Sequence, residues 1–144
     1  MARKILFDEL LAKREQREAD RLKVGLLELA DSGLGLEARM PNQRAVLELY
    51  GEMAQAQTAS DMLRCGNHAL YACCPQLQDK KLQTELGCQD DPMTVMDALF
   101  SVAEQDQLGG KALRFLGLLP DEKSAADADE PAENENTGLE TVKN

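Results

Sequence analysis

The chain has 144 residues, a formal net charge of −10 and only 3% aromatic residues with no Trp. That length suits one domain with a modest core, and the core has to be built from Leu, Ala, Val and Met, a palette that favours helices. Residues 120–144 hold eight acids against two bases, and the other 119 hold 18 against 14. Neither part offers the basic surface that a phosphate backbone requires, so a nucleic-acid role is excluded.

Residues Arg3 to Asp20 read as an amphipathic helix. Leu6, Phe7, Leu10 and Leu11 form an apolar patch in its first half, and the charged run KREQREADR follows. The positive N-terminus carries no apolar run of signal-peptide length, and Asp8 and Glu9 interrupt it. No stretch of about 20 apolar residues is available for a membrane span. The expected compartment is the cytoplasm, where four cysteines stay reduced.

From Gly33 the period changes. Leu34, Leu36, Ala38 and Met40 alternate with polar or small residues, which is the signature of a half-buried strand. Upstream, Leu22, Val24 and Leu26 alternate less cleanly, and Ala30 to Gly33 supply turn residues. A β-hairpin over Leu22–Met40 is expected, with a helix over Leu22–Leu29 as the competing assignment.

Pro41 ends that element and Asn42 is placed to cap the next. Val46, Leu49, Tyr50 and Met53, then Met62, Leu63, Gly66, Ala69, Leu70 and Cys73, recur at three- and four-residue steps. This predicts helices over Asn42–Gln57 and Ser60–Cys74, broken where Ser60 and Asp61 favour a cap. Between Ala69 and Leu99 the punctuation is dense. Pro75 stops one helix, Asp79 caps a second that Gly87 closes, and Asp91-Pro92 opens a third. Helices over Asp79–Leu86, Pro92–Phe100 and Ala103–Leu116 follow, the last closed by Gly117. Gly109-Gly110 inside it costs about 1 kcal/mol per glycine relative to Ala. Either the helix breaks there or another backbone comes close.

The fold class is therefore mainly α (α+β): a small helical domain with one N-terminal β-hairpin and a disordered acidic C-terminal tail. Residues 1–20 form an amphipathic helical arm, 21–119 the domain with its hairpin near 22–40, and 120–144 the tail, too polar to offset its chain entropy.

Chemistry finds few footholds. Cys65, His68, Cys73, Cys74 and Cys88 contain a C-x-x-H pair, but zinc sites pair short spacings from two knuckles. Cys65 and Cys73 share helical spacing with Gly66 and Ala69, so they read as small core residues and His68 as a partly exposed polar one. With one His, no nucleophile elbow and no phosphate-cradling loop, no catalytic residue, no metal ligand and no cofactor is expected. Apolar helical surface remains, suited to a partner groove.

The run LYACCPQLQDKKLQTELGCQDDPMTVMDALF, with Glu104, Leu108, Leu113, Leu116 and Gly117 after it, resembles the tail assembly chaperones of long-tailed bacteriophages. The similarity is to the type found in PBSX-like prophages of Gram-positive bacteria, the XkdN-like proteins. In that order of features a helix ends at a Pro preceded by small or Cys residues. A short D-x-x-L helix (Asp79 to Leu82), Gly87, the Asp91-Pro92 start and a Glu-led final helix follow. The likeness spans about residues 20–118 and is specific mainly from Ala69 to Gly117.

The resemblance implies a non-enzymatic, cofactor-free chaperone in the host cytoplasm, absent from the finished virion. Such a protein coats the helix-rich tape measure protein and recruits tail tube protein during tail morphogenesis. Leu6, Phe7, Leu10, Leu11, Met93, Met96 and Phe100 are the expected partner contacts, with self-association as a further possibility. The alternative is a non-enzymatic prophage or host adaptor binding one regulatory partner through a helical face.

Overall fold

The computed structural model describes residues 2–30 and 32–120, so the acidic tail expected after Pro120 lies outside the described residues. Helix α1 spans Phe7–Arg21 and strands β1 and β2 span Val24–Leu29 and Leu34–Arg39. Helices α2 (Gln43–Gln55), α3 (Ala59–Cys73), α4 (Lys80–Glu85), α5 (Val95–Leu99) and α6 (Val102–Phe115) follow. The architecture is mainly α with a single two-stranded antiparallel hairpin.

Its centre is the crossing of α3 and α6, where Gly66 faces Gly109. A Cβ placed on Gly109 would lie 2.9 Å from the Gly66 Cα, and one on Gly66 would lie 3.0 Å from the Gly109 Cα. The helix does not break at Gly109-Gly110; the missing side chains let two backbones touch. Around this contact Cys65, Ala69, Leu70, Leu108, Ala112 and Leu113 fill the interior, with Leu77, Val95 and Met96 closing one end.

The hairpin packs on α6. Leu27 and Ala38 are buried, and Gly25 leaves room for the Phe115 ring, 2.8 Å from where a Cβ would stand. Pairing of Leu27 with Leu36 and Gly25 with Ala38 turns those residues inward, so Val24 and Leu26 face out. That reverses the inward face suggested by the Leu22, Val24, Leu26 alternation. In LKVGLLEL both parities carry apolar residues, and only docking on α6 selects one.

Cap chemistry sets most boundaries. The Asn42 and Asp79 carboxamide and carboxylate oxygens accept from the amides of Ala45 and Leu82 at 2.9 and 3.0 Å. Ser101 and Glu104 exchange hydrogen bonds as a capping box ahead of α6. Gly87 and Gly117 take φ of +72° and +81°, closing α4 and α6 with paired reverse hydrogen bonds.

Helix α1 starts at Phe7, after Leu6, rather than at the expected Arg3, and three further boundaries differ from expectation. Thr58, rather than Ser60, caps α3 through a 3.0 Å bond from the Asp61 amide. After Pro75 the chain makes a 3-10 turn over Pro75–Gln78 that periodicity does not reveal. The segment expected as one helix over Pro92–Phe100 is a 3-10 turn, Pro92–Thr94, followed by α5. Thr94 bonds back to the Asp91 carbonyl through amide and hydroxyl, which tightens that first turn.

Two buried glutamines staple the helices. Gln105 donates from Nε2 toward the Met96 and Phe100 carbonyls and the Asp97 carboxylate at 3.3, 3.0 and 3.1 Å, and accepts from Asn67 at 2.9 Å. Gln83 donates to the Tyr71 hydroxyl and the Leu77 carbonyl at 2.9 and 3.0 Å. Each satisfies backbone groups that short helices leave unpaired.

Candidate partner-binding surface

Helix α1 stands apart from the core. None of its residues is buried, and the large apolar side chains at and just before its start are widely exposed: Ile5 49%, Leu6 59%, Phe7 73%, Leu10 52% and Leu11 39%. A free 15-residue helix is marginal in water, so its start needs reinforcement. Glu9 supplies it, accepting from the Leu6 amide at 2.8 Å while the Arg3 guanidinium grips both its oxygens. The Arg3 guanidinium and then the Leu6 amide hold the Glu9 carboxyl below its usual range. The arm thus presents its apolar patch on a preformed helix.

At its root α1 meets the domain. Arg17 reaches Gln43 at 3.4 Å, and Arg17 and Arg21 rim a cavity of about 250 Å³. Its apolar walls come from Met40, Pro41, Val46, Leu47, Tyr50, Leu116 and Leu118. Tyr50, expected on the buried stripe of α2, is exposed along with Leu47. Helix α3 packs on the other side of that helix, through Cys65 to the Leu49 carbonyl and His68 to Glu52, and Leu49 is its single buried residue.

The expected contact residues divide. Leu6, Phe7, Leu10 and Leu11 share one exposed surface on the arm. Met96 does not belong to a surface: it is 1% exposed, locked beneath α6 as part of the core. Met93 and Phe100 are half-buried and pack against that core. The broken Pro92–Leu99 segment rotates Met96 inward, which no single helical period predicts. Ile5 and the Leu47–Tyr50 groove were not anticipated. Neither was the place of Arg17 and Arg21 on the rim of that groove, because a run as charged as KREQREADR reads as a uniformly solvated face.

The cysteine and histidine residues have structural engagements. Cys65 Sγ donates to the Leu49 carbonyl at 3.8 Å, and burial followed by the Glu52 charge pushes its thiol pKa up. Cys73 and Cys74 sulfurs lie 3.9 Å apart. The bond with Cys73 and burial push the Cys74 thiol far up, out of reach as a nucleophile. His68 Nδ1 sits 2.9 and 2.8 Å from the two Glu52 oxygens, tying α3 to α2. Among the described residues no group of three or more His, Cys, Asp or Glu side chains is placed to hold a metal ion. Nor, among them, is any helix long and apolar enough to cross a membrane.

No protein-family model, curated protein or solved structure matches this chain. Its function is therefore argued from its residues and geometry.

Proposed function

We propose that this chain is a tail assembly chaperone of a long-tailed phage. It would bind the helix-rich tape measure protein and help recruit tail tube subunits during tail morphogenesis, acting by reversible burial of apolar surface without bond-making chemistry. The observation that carries the reading is the arm: five large apolar residues, Ile5 to Leu11, held on a capped helix that contributes nothing to the core. Soluble domains rarely leave contiguous apolar surface uncovered without a partner for it. The resemblance of Ala69 to Gly117 to the XkdN-like chaperones supplies the identity of the client. The described core draws on no residue of the arm, which leaves the arm's apolar surface to the client.

Co-expression tests the proposal. The full chain should keep a helical fragment of a cognate tape measure protein in the soluble fraction. The double variant Phe7→Asp, Leu10→Asp should leave that fragment in the pellet while retaining the parent melting temperature. A fragment that stays insoluble with the parent chain, or equally soluble with the variant, refutes it.

A further inference from the structure

We propose that the segment seated on the arm is an acidic amphipathic helix, recognised by a stripe on α1 that is apolar at the tip and basic at the root. This inference rests on the chaperone reading and deepens it by naming the chemistry of the client segment. At about 100° per residue, Phe7, Leu10, Leu11, Arg14, Arg17 and Arg21 fall within a sector roughly 120° wide. Asp8, Glu9, Glu15 and Asp20 fall outside it. Glu18 is the one acid inside, and it is paired with Arg21 at 3.0 Å. Among the described residues Arg14 has no ion-pair partner, and Arg17 has only its 3.4 Å contact to Gln43. One face of one helix therefore carries three guanidiniums over about 10 Å, two of them without a carboxylate partner among the described residues, directly in line with its apolar tip.

The sign of this stripe is informative because the chain as a whole carries −10. An acidic partner is repelled by most of the molecule and admitted along this line, which sets both approach and register. Guanidiniums at three- and four-residue steps match carboxylates at the same steps on a facing helix, fork to carboxylate. The stripe then runs into the groove that Arg17 and Arg21 rim, where Val46, Leu47, Tyr50 and Leu118 offer a second apolar seat. A client helix with the order apolar, acidic, apolar fits the whole path from Phe7 to the groove.

The test uses the full chain and two synthetic helical peptides of about 22 residues. Both carry the same leucine stripe; one has Glu and the other Lys at the steps that meet Arg14, Arg17 and Arg21. Binding is read by fluorescence anisotropy. Two new exposed ion pairs, with repulsion of the Lys peptide by the same guanidiniums, predict up to about tenfold tighter binding of the Glu peptide at low salt. That preference should vanish near 1 M salt, where screening acts over about 3 Å. Arg14→Glu with Arg17→Glu should reverse the preference and Arg14→Gln with Arg17→Gln should erase it, whereas Phe7→Asp weakens both peptides alike. Equal affinities, a preference that survives charge reversal, or failure of both peptides to bind overturns the inference. So does a concentration-dependent dimer abolished by Arg14→Glu with Arg17→Glu, which would assign the stripe to a second copy. None of these results touches the co-expression outcome, so the chaperone reading stands or falls separately.

Discussion

Two adjacent glycines in α6 have opposite expected behaviour, although helix propensity treats them alike. Replacing either by Ala removes backbone entropy from the unfolded chain and improves propensity by about 1 kcal/mol. At Gly110 the added methyl meets no backbone, only a terminal guanidinium nitrogen of Arg114 at 3.2 Å, which a shift of a few tenths of an ångström relieves. At Gly109 it meets the Gly66 backbone, with Cα at 2.9 Å and carbonyl carbon at 3.0 Å. Carbon atoms prefer separations of about 3.5–4.0 Å, so α3 and α6 must part by roughly 0.5–1 Å. Such overpacking costs about 1–3 kcal/mol, and the parting also loosens Cys65, Ala69, Leu108 and Ala112 across the seam. Gly110→Ala should therefore be neutral or stabilising by up to about 1 kcal/mol. Gly109→Ala should be destabilising by up to about 2 kcal/mol net of the propensity gain. In a domain of this size that separates the two melting temperatures by roughly 5–15 °C. Urea unfolding with an unchanged slope against denaturant is the deciding assay. A Gly109→Ala chain as stable as Gly110→Ala would refute the close crossing.

Gln105→Ala removes the donor that serves two carbonyls and the Asp97 carboxylate, and should cost about 1–3 kcal/mol by the same urea measurement. The Glu9 carboxyl is depressed by Arg3 and the Leu6 amide, so its contribution to the arm is full above the ordinary glutamate range. That contribution is lost as pH falls through the lowered folded value. Protection of the first-turn amides of α1, relative to their intrinsic exchange rate at each pH, should fall on acidification while that in α6 does not, and Glu9→Gln should show the lower protection already at neutral pH. The four thiols are buried, so their alkylation in the native state should proceed only at the rate of unfolding. Fast labelling of Cys73 or Cys74 in the folded chain would contradict their burial.

Much of the local structure was legible because its causes are local. Asn42, Asp79, Gly87 and Gly117 act within a turn of themselves, and each marks a boundary where the chain was expected to stop or start. Leu6, Phe7, Leu10 and Leu11 were legible as an apolar patch, but whether the patch docks on the domain was not, and its exposure is a tertiary outcome. Other features depend on neighbours distant in the chain. Met96 looks like any exposed methionine of an amphipathic helix, and only the 3-10 turn before it rotates it under α6. Tyr50 sits at helical spacing with Leu49, but nothing packs over its side of α2.

Taken alone, the order of residues settles the mainly helical class, the strand pattern that begins at Gly33, most helix ends and an apolar patch near the N-terminus. Those rest on propensity, capping and periodicity, interactions within a few positions of one another. Tertiary contact decides which strand parity turns inward, why Gly109 is a glycine, and where the buried glutamines place their bonds. It also brings the root of α1 against Val46, Tyr50 and Leu118, so that a charged run becomes the rim of a groove. Those outcomes join residues tens of positions apart, and no window along the chain contains both partners.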